Sequence, residues 1–331
     1  MAAGNTGSLN FAYRKGRIMK YINEIHEGDI IRGIYLCKGK RCAETRNGKP
    51  YDNLILQDKT GTLDAKIWDP NSQGIQDYDE KDFVDIYGEV ISYNKALQLN
   101  IKQLRVAGEG EYDPADFMPS SDKDINAMYD LLLKYVSSVE NDYLRGVLEY
   151  YFVKDENFIR VFKGHSAAKT VHHGFAGGLL EHTLGVTRLC DFFAKFYPLL
   201  NRDLLITASL LHDIGKTVEL SDFPDNDYTD DGQLLGHIVI GVEMIGDAVR
   251  EIPDFPKKLA SELKHCMVAH HGELEFGSPK KPALAEAVAL NLADNADARL
   301  ETLTEIFKDK DSTDWLGYNR LFESNLRKTS I

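Results

Sequence analysis

The stretch Leu204-Leu205-Ile206-Thr207-Ala208-Ser209-Leu210-Leu211-His212-Asp213-Ile214-Gly215-Lys216 decides how the second half of the chain is read. It is apolar on nearly every side, which predicts a buried helix over Arg202 to Ile214. That helix closes on an imidazole and a carboxylate, His212 and Asp213. Successive helix positions lie about 100° apart around the axis, so both side chains can still reach one ion. A carboxylate has two oxygens, so Asp213 can bridge two ions.

Working outward, further imidazoles and carboxylates end or flank apolar helices. His182 lies in a helix expected from Leu179 to Phe196, on a face with Leu179, Leu180, Thr183, Leu184 and Val186. His237 stands near the start of a helix from Leu235 to Arg250. The pair His270-His271 ends a helix from Lys257 to Val268. Asp294 follows the apolar Ala287, Val288, Leu290 and Leu292 in a helix from Ala283 to Phe307, and Asp297 stands one turn on. Alone, His182 reads as a satisfied core histidine, Asp294 as a cap or ion-pair partner, and His237 and His270-His271 as polar helix termini. Together they need a cation, because buried carboxylates are costly without one or without several donors.

The donors are nitrogen and oxygen only, which argues against a structural thiolate zinc site and for a catalytic ion. The four cysteines, Cys37, Cys42, Cys190 and Cys266, form no CxxC pair and read as free thiols. Imidazole content favours Mn²⁺, with Co²⁺, Fe or Mg²⁺ as alternatives. The set is large enough for two divalent ions sharing Asp213, which would clamp the attacking and leaving oxygens of a phosphoryl centre. Lys216 is a nearby cation suited to charge developing on phosphate oxygens. Asp213 and Lys216 are therefore the catalytic candidates.

The first half is strand-like. Asp29 to Leu36, Tyr51 to Gln57, Thr62 to Trp68, Asp82 to Tyr93 and Ala96 to Val106 read as strands, with a turn-rich basic stretch from Lys38 to Lys49. Five strands in about 80 residues predict a small closed barrel of the OB type. The organisation expected is multidomain, a small all-β barrel followed by an all-α domain. Residues 1–18 are a flexible extension or non-native remnant, 19–107 the barrel, 108–122 an acidic linker with Pro114 and Pro119, 123–310 the helical domain, and 311–331 a tail. No strand pattern is visible beyond the linker.

No apolar run reaches the ~20 residues that cross a bilayer, and no signal core is visible, so a cytoplasmic location is expected. The formal net charge is −13, which gives no general attraction for a polyanion. A polyanion would have to meet a local patch. Lys38, Lys40, Arg41, Arg46 and Lys49 cluster in one hairpin with Glu44 the only acid among them, and Tyr51 and Trp68 stand near. OB barrels grip single strands by charge and by base stacking. Lys169, His172 and His173, followed by Gly174, Gly177 and Gly178, precede a helix N-terminus that could hold a phosphate.

Leu211-His212-Asp213-Ile214-Gly215-Lys216, downstream of Gly177-Gly178-Leu179-Leu180-Glu181-His182-Thr183, resembles the HD-domain superfamily of metal-dependent phosphohydrolases. That resemblance implies His182, His212, Asp213 and Asp294 as ligands of a first metal, and His237 and His270, with His271 beside them, as ligands of a second. The cyclic-dinucleotide branch carries Gly-Tyr-Pro after its His-His; here the stretch is His270-His271-Gly272-Glu273-Leu274. From Met19 onward the chain is similar to the YhaM-type 3′→5′ exoribonucleases, which join an OB-fold to an HD domain. The similarity includes Ala168-Lys169-Thr170-Val171-His172-His173-Gly174-Phe175 and Ser278-Pro279-Lys280. It implies hydrolysis of single-stranded RNA by a metal-bound hydroxide, with single-stranded DNA as a second substrate. Two alternatives stay open: a nucleotide or cyclic-dinucleotide phosphohydrolase with a regulatory barrel, and a non-catalytic single-strand-binding factor. Homo-oligomerisation is also left open.

Overall fold

The computed structural model describes residues 19–330 except 95, 120, 122, 169–173 and 309–311. The extension at 1–18 thus lies outside the described residues. Two compact units divide the chain, Met1–Pro119 and Ser120–Ile331.

In the first unit, β1 (Ile30–Glu44), β2 (Pro50–Asp58), β3 (Gly61–Ile67), β4 (Phe83–Tyr93) and β5 (Ala96–Val106) close in the order β1-β2-β3-β5-β4. The first strand pairs antiparallel with both β4 and β2, and a parallel β3–β5 contact closes the ring. This is the OB arrangement. Leu54, Leu56, Leu63, Ala65, Ile67, Leu99 and Ile101 fill the interior at the alternate positions a strand turns inward.

The sequence pattern predicts a first strand that ends at Leu36 and a turn-rich stretch from Lys38 to Lys49. The strand in fact runs on to Glu44. Its register slips between Cys37 and Gly39, and such a bulge bends a strand. Residues Ile30 to Leu36 pair with β4, and pairing with β2 begins at Leu36 and runs through the bulge to Glu44. The true turn is short, closed by Thr45 N–H donating to Lys49 O at 2.8 Å and Gly48 N–H to Thr45 O at 2.8 Å.

The second unit is helical: α1 (Ile125–Ser137), α2 (Asp142–Glu149), α3 (Glu156–Gly164), α4 (Gly178–Phe196), α5 (Arg202–Leu211), α6 (Lys216–Glu219), α7 (Asp230–Leu234), α8 (Gly236–Glu251), α9 (Lys257–Ala269) and α10 (Ala285–Phe307). Side-chain caps start several of them. Asp124 accepts from Asn126 N–H and Ala127 N–H, Asn141 from Leu144 N–H, and Asn201 from Leu204 N–H. Helix α3 was not anticipated. It follows a π turn at Tyr150–Lys154 and is capped by Asp155. A short hairpin, β6 (Tyr318–Asn319) with β7 (Ser324–Asn325), lies in the tail, where the sequence displays no strand pattern. Two-residue strands are too short to display alternation in a sequence.

Helix α5 is the axis of this unit. Every residue from Leu204 to Leu211 is buried, as an all-round apolar helix requires. It packs against α4, α10, α2 and α9. It stops at Leu211 rather than Ile214. Ile214 N–H donates to Leu211 O and Lys216 N–H to Asp213 O, at 3.1 and 3.0 Å, and these tight turn bonds carry the chain into α6. Among the described residues no helix is long and apolar enough to cross a membrane.

One ionic clamp joins the axis to its neighbours. Asp191 on α4 is buried and accepts from Lys195 Nζ at 2.6 Å and from Arg202 Nε on α5 at 2.8 Å. Arg202 also donates to Ser138 O at 3.2 Å. Burial alone would raise the Asp191 pKa, but Lys195 and Arg202 outweigh it and hold the carboxyl below its usual range. A depressed folded-state pKa stabilises the fold above the unfolded value and loses that stabilisation as pH falls through the folded one. Asp191→Ala is therefore expected to cost about 1–3 kcal/mol at neutral pH. Urea unfolding followed by helical circular dichroism should show this cost shrinking as pH drops below about 4. A pH-independent cost would refute the clamp.

Candidate metal centre

Four helices and one interhelical corner deliver the predicted ligands to one place. The corner after α5 brings His212 and Asp213, α4 brings His182, α8 brings His237 in its first turn, and α10 brings Asp294. His270 and His271 follow the end of α9. Two groups form around Asp213: His182 with His212 and Asp213, and His237 with His270 and His271.

Asp213 is 2% exposed, and its two oxygens face different groups. Oδ2 lies 3.4 Å from His182 Nε2, 3.3 Å from His212 Nε2 and 2.8 Å from Lys216 Nζ. Oδ1 lies 3.6 Å from His237 Nε2 and 3.8 Å from His270 Nε2. Asp294 Oδ1 is 3.2 Å from His182 Nε2. Asp213 Oδ1, His237 Nε2 and His270 Nε2 are all buried without a hydrogen-bond partner. Buried polar atoms are seldom left so. Three of them converging, all with lone pairs to offer, are what a cation would satisfy.

The outer ring nitrogens explain the aim of the inner ones. His212 Nδ1 meets Ser209 O at 2.8 Å, His270 Nδ1 meets Met267 O at 2.7 Å, and His271 Nδ1 meets Phe276 O at 2.8 Å. A carbonyl only accepts, so each Nδ1 carries the proton and donates it. His182 Nδ1 donates to Asp297 Oδ2 at 2.8 Å and His237 Nδ1 to Glu219 Oε1 at 3.0 Å. The five Nε2 atoms are thereby turned toward Asp213 and one another, as in the arrangement that orients metal-binding imidazoles.

Electrostatics follow the same division. Burial, then the neighbouring imidazoles, push the pKa of His270 well below its usual value and lower that of His271, so both stay neutral. His182 goes the other way: burial opposes its charge, but hydrogen bonds to Asp213, Asp294 and Asp297 raise it well above the usual value. Burial would raise the Asp213 pKa, yet Lys216 and His212 hold it well below the carboxylate range. Lys216 is buried too, and Asp213 overcomes that penalty and raises it. A pocket that concentrates a proton on His182 would equally concentrate a divalent cation.

Gly215 lets the pieces meet. A Cβ there would stand 2.0 Å from His237 O, so only glycine allows the Asp213 corner to press against the start of α8. Glu219 escaped sequence reading altogether. It sits three residues past Lys216 on a short helix, and nothing in its own neighbourhood marks it as buried.

On the barrel, the register separates the predicted contacts. Arg41 pairs with Asn53, Asn53 with Lys66, and Lys66 with Asn100. This row alternates with buried Leu54, Ala65 and Leu99 and so faces outward. Tyr51 and Trp68 belong to the same face. Their rings stack at 5.3 Å, Lys66 Nζ lies 4.9 Å over both, and Trp68 Nε1 donates to Asn100 Oδ1 at 3.1 Å. Trp68 is 50% exposed. Lys38 is the bulge residue and is exposed. Lys40 pairs with Leu54 and turns inward, donating to Tyr78 O at 2.5 Å. It is not part of the outer face. Lys169, His172 and His173 lie outside the described residues.

Residues 179–299 match the family model of the HD domain, which indicates a metal-dependent phosphohydrolase. The barrel is similar to the second OB-fold domain of replication protein A from Methanococcus maripaludis, at 14% identity and TM-score 0.23, over 28% of this chain and 98% of that one. It is also similar to an OB domain from Thermoplasma acidophilum, at 17% identity and TM-score 0.21, over 28% and 87% of the two chains. A chain of a replication protein A heterotrimer bound to ssDNA matches at 15% identity and TM-score 0.20, over 27% and 64%. Scores of this size add no weight to the barrel assignment, which rests on strand pairing.

If the convergent atoms hold ions, divalent metal will stabilise the helical unit. Saturation at about 100 times Kd is expected to add roughly 2.7 kcal/mol. Mn²⁺ should raise the melting temperature of the intact protein, EDTA should reverse the rise, and His270→Ala should diminish it. An identical rise in the variant would remove His270 from the ligand set.

Proposed function

We propose that the protein is a metal-dependent 3′→5′ exoribonuclease: the barrel holds single-stranded RNA, and the helical unit hydrolyses its phosphodiester bonds. The observation that carries the reading is the division of Asp213, one oxygen toward His182 and His212, the other toward His237 and His270. Such a carboxylate suits two ions, with Asp294 completing the first set and His271 the second. Mn²⁺ fits the mixed imidazole and carboxylate donors best.

When bound, divalent ions acidify water and neutralise charge on a phosphoryl group. This chain's residues supply the rest. Asp213 holds the two donor sets in register. Lys216 keeps its proton beside Asp213 and offers a fixed positive charge to the phosphate oxygens. His270 and His271, kept neutral by burial, present lone pairs rather than protons.

The substrate assignment rests on the barrel's outer face. A stack of half-buried Tyr51 on exposed Trp68, with Lys66 above it and Arg41 in the same row, offers π-faces to bases and charge to the backbone. Lys38 extends the charge. The 3′ polarity is supported by the resemblance to the YhaM-type enzymes rather than by any one residue.

Two variants separate the functions. Asp213→Ala is expected to abolish shortening of 5′-labelled RNA on a sequencing gel while RNA affinity stays within about twofold, since stacking and phosphate contacts on the barrel are untouched. Internal cuts by the wild type, or none under any divalent ion, would sink the proposal. Trp68→Ala should weaken RNA binding by about 1–3 kcal/mol and leave hydrolysis of bis(p-nitrophenyl) phosphate unchanged.

A further inference from the structure

Three of the five inner-facing imidazoles take their orientation from backbone carbonyls within five residues of themselves. The other two take it from carboxylates far away. His182 leans on Asp297, 115 residues on, and His237 on Glu219, 18 residues back. One belongs to each group around Asp213. Both carboxylates are largely buried, with side chains 11% exposed.

Each contact is built in. Gly185 on α4 faces Asp297, and a Cβ there would lie 1.9 Å from Asp297 Oδ1. Only glycine leaves room for that carboxylate to reach the ring of His182 on the next turn. Glu219 Oε1 accepts twice, from His237 Nδ1 and from His237 backbone N–H, both at 3.0 Å. Helix α8 has no side-chain cap from its own N-cap residue, Leu235. Glu219 therefore fixes both the ring and the start of the helix that carries it.

We propose that Asp297 and Glu219 are positioning residues that set the ion affinity of the two groups separately, Asp297 acting through His182 and Glu219 through His237. A carboxylate behind an imidazole fixes its tautomer and makes the opposite nitrogen a better donor. The backbone-supported rings, His212, His270 and His271, lack that anionic support. The inference rests on the two-ion reading and goes beyond it by giving each ion its own control.

Co²⁺ titrations of the intact protein, followed by calorimetry and by the visible absorption of the bound ion, provide the test. The wild type is expected to show two steps. Glu219→Gln keeps an oxygen that can accept both bonds and loses only the charge. It should weaken one step about 10–100-fold and change the absorption of that step alone. Asp297→Asn should do the same to the other step. Gly185→Ala, which displaces Asp297 without altering it, should resemble Asp297→Asn. Melting in EDTA checks that each variant folds as the wild type does, and a variant that does not is set aside in favour of the others. Two wild-type steps that neither carboxylate variant alters, or that either variant weakens equally, would overturn the separate assignment. A wild type with a single step would overturn the two-ion reading, and the separate assignment with it.

Discussion

The site depends on one packing constraint: α5 is buried on every side. The helix starts at the surface, at Asn201, but ends inside the protein, and the residues that follow it inherit that position. His212 and Asp213 are therefore 0% and 2% exposed without any apolar surface of their own. A carboxylate so placed must find positive charge or donors. It finds Lys216 on one oxygen, and on the other it finds only the lone-pair nitrogens of His237 and His270. The surrounding helices present their termini to this point, so the core that stabilises the unit also assembles the candidate centre.

Much of this was legible because the candidate ligand residues interrupt apolar patterns. His182, His212, Asp213, His237, His270 and Asp294 each stand where an apolar helix carries or ends on a polar group, and all of them meet in the structure. What periodicity could not carry was support between distant elements. Glu219 lies on a four-residue helix, and such a segment has no periodic face to mark an inward residue. Its role appears only where the Gly215 corner meets α8. Asp297 was visible as an acid one turn beyond Asp294, but its attachment to His182 depends on the gap that Gly185 leaves.

The barrel shows a different limit. A strand's period of two assigns faces only while the register is unbroken, and one extra residue inverts every assignment after it. Lys38 is that residue. Read as a loop, Lys38, Lys40 and Arg41 looked equivalent. Read as a bulged strand, they separate: Lys40 turns in against Tyr78, while Arg41 joins the row with Lys66 and the Tyr51–Trp68 stack. The outer face is thus smaller and more aromatic than the basic run suggested.

Charge links the two halves of the functional reading. The centre gathers Asp213, Asp294, Asp297 and Glu219 around Lys216, with the His182 pKa raised by its carboxylate neighbours and those of His270 and His271 lowered by burial. Four carboxylates gathered beside one lysine oppose a phosphodiester by like charge. Low dielectric strengthens that repulsion. The aromatic face of the barrel escapes the conflict, because stacking needs no net charge and Lys66 stands over it. On the proposed function, binding of a strand and admission of its phosphate are therefore governed by different physics, and only the second would have to wait for cations.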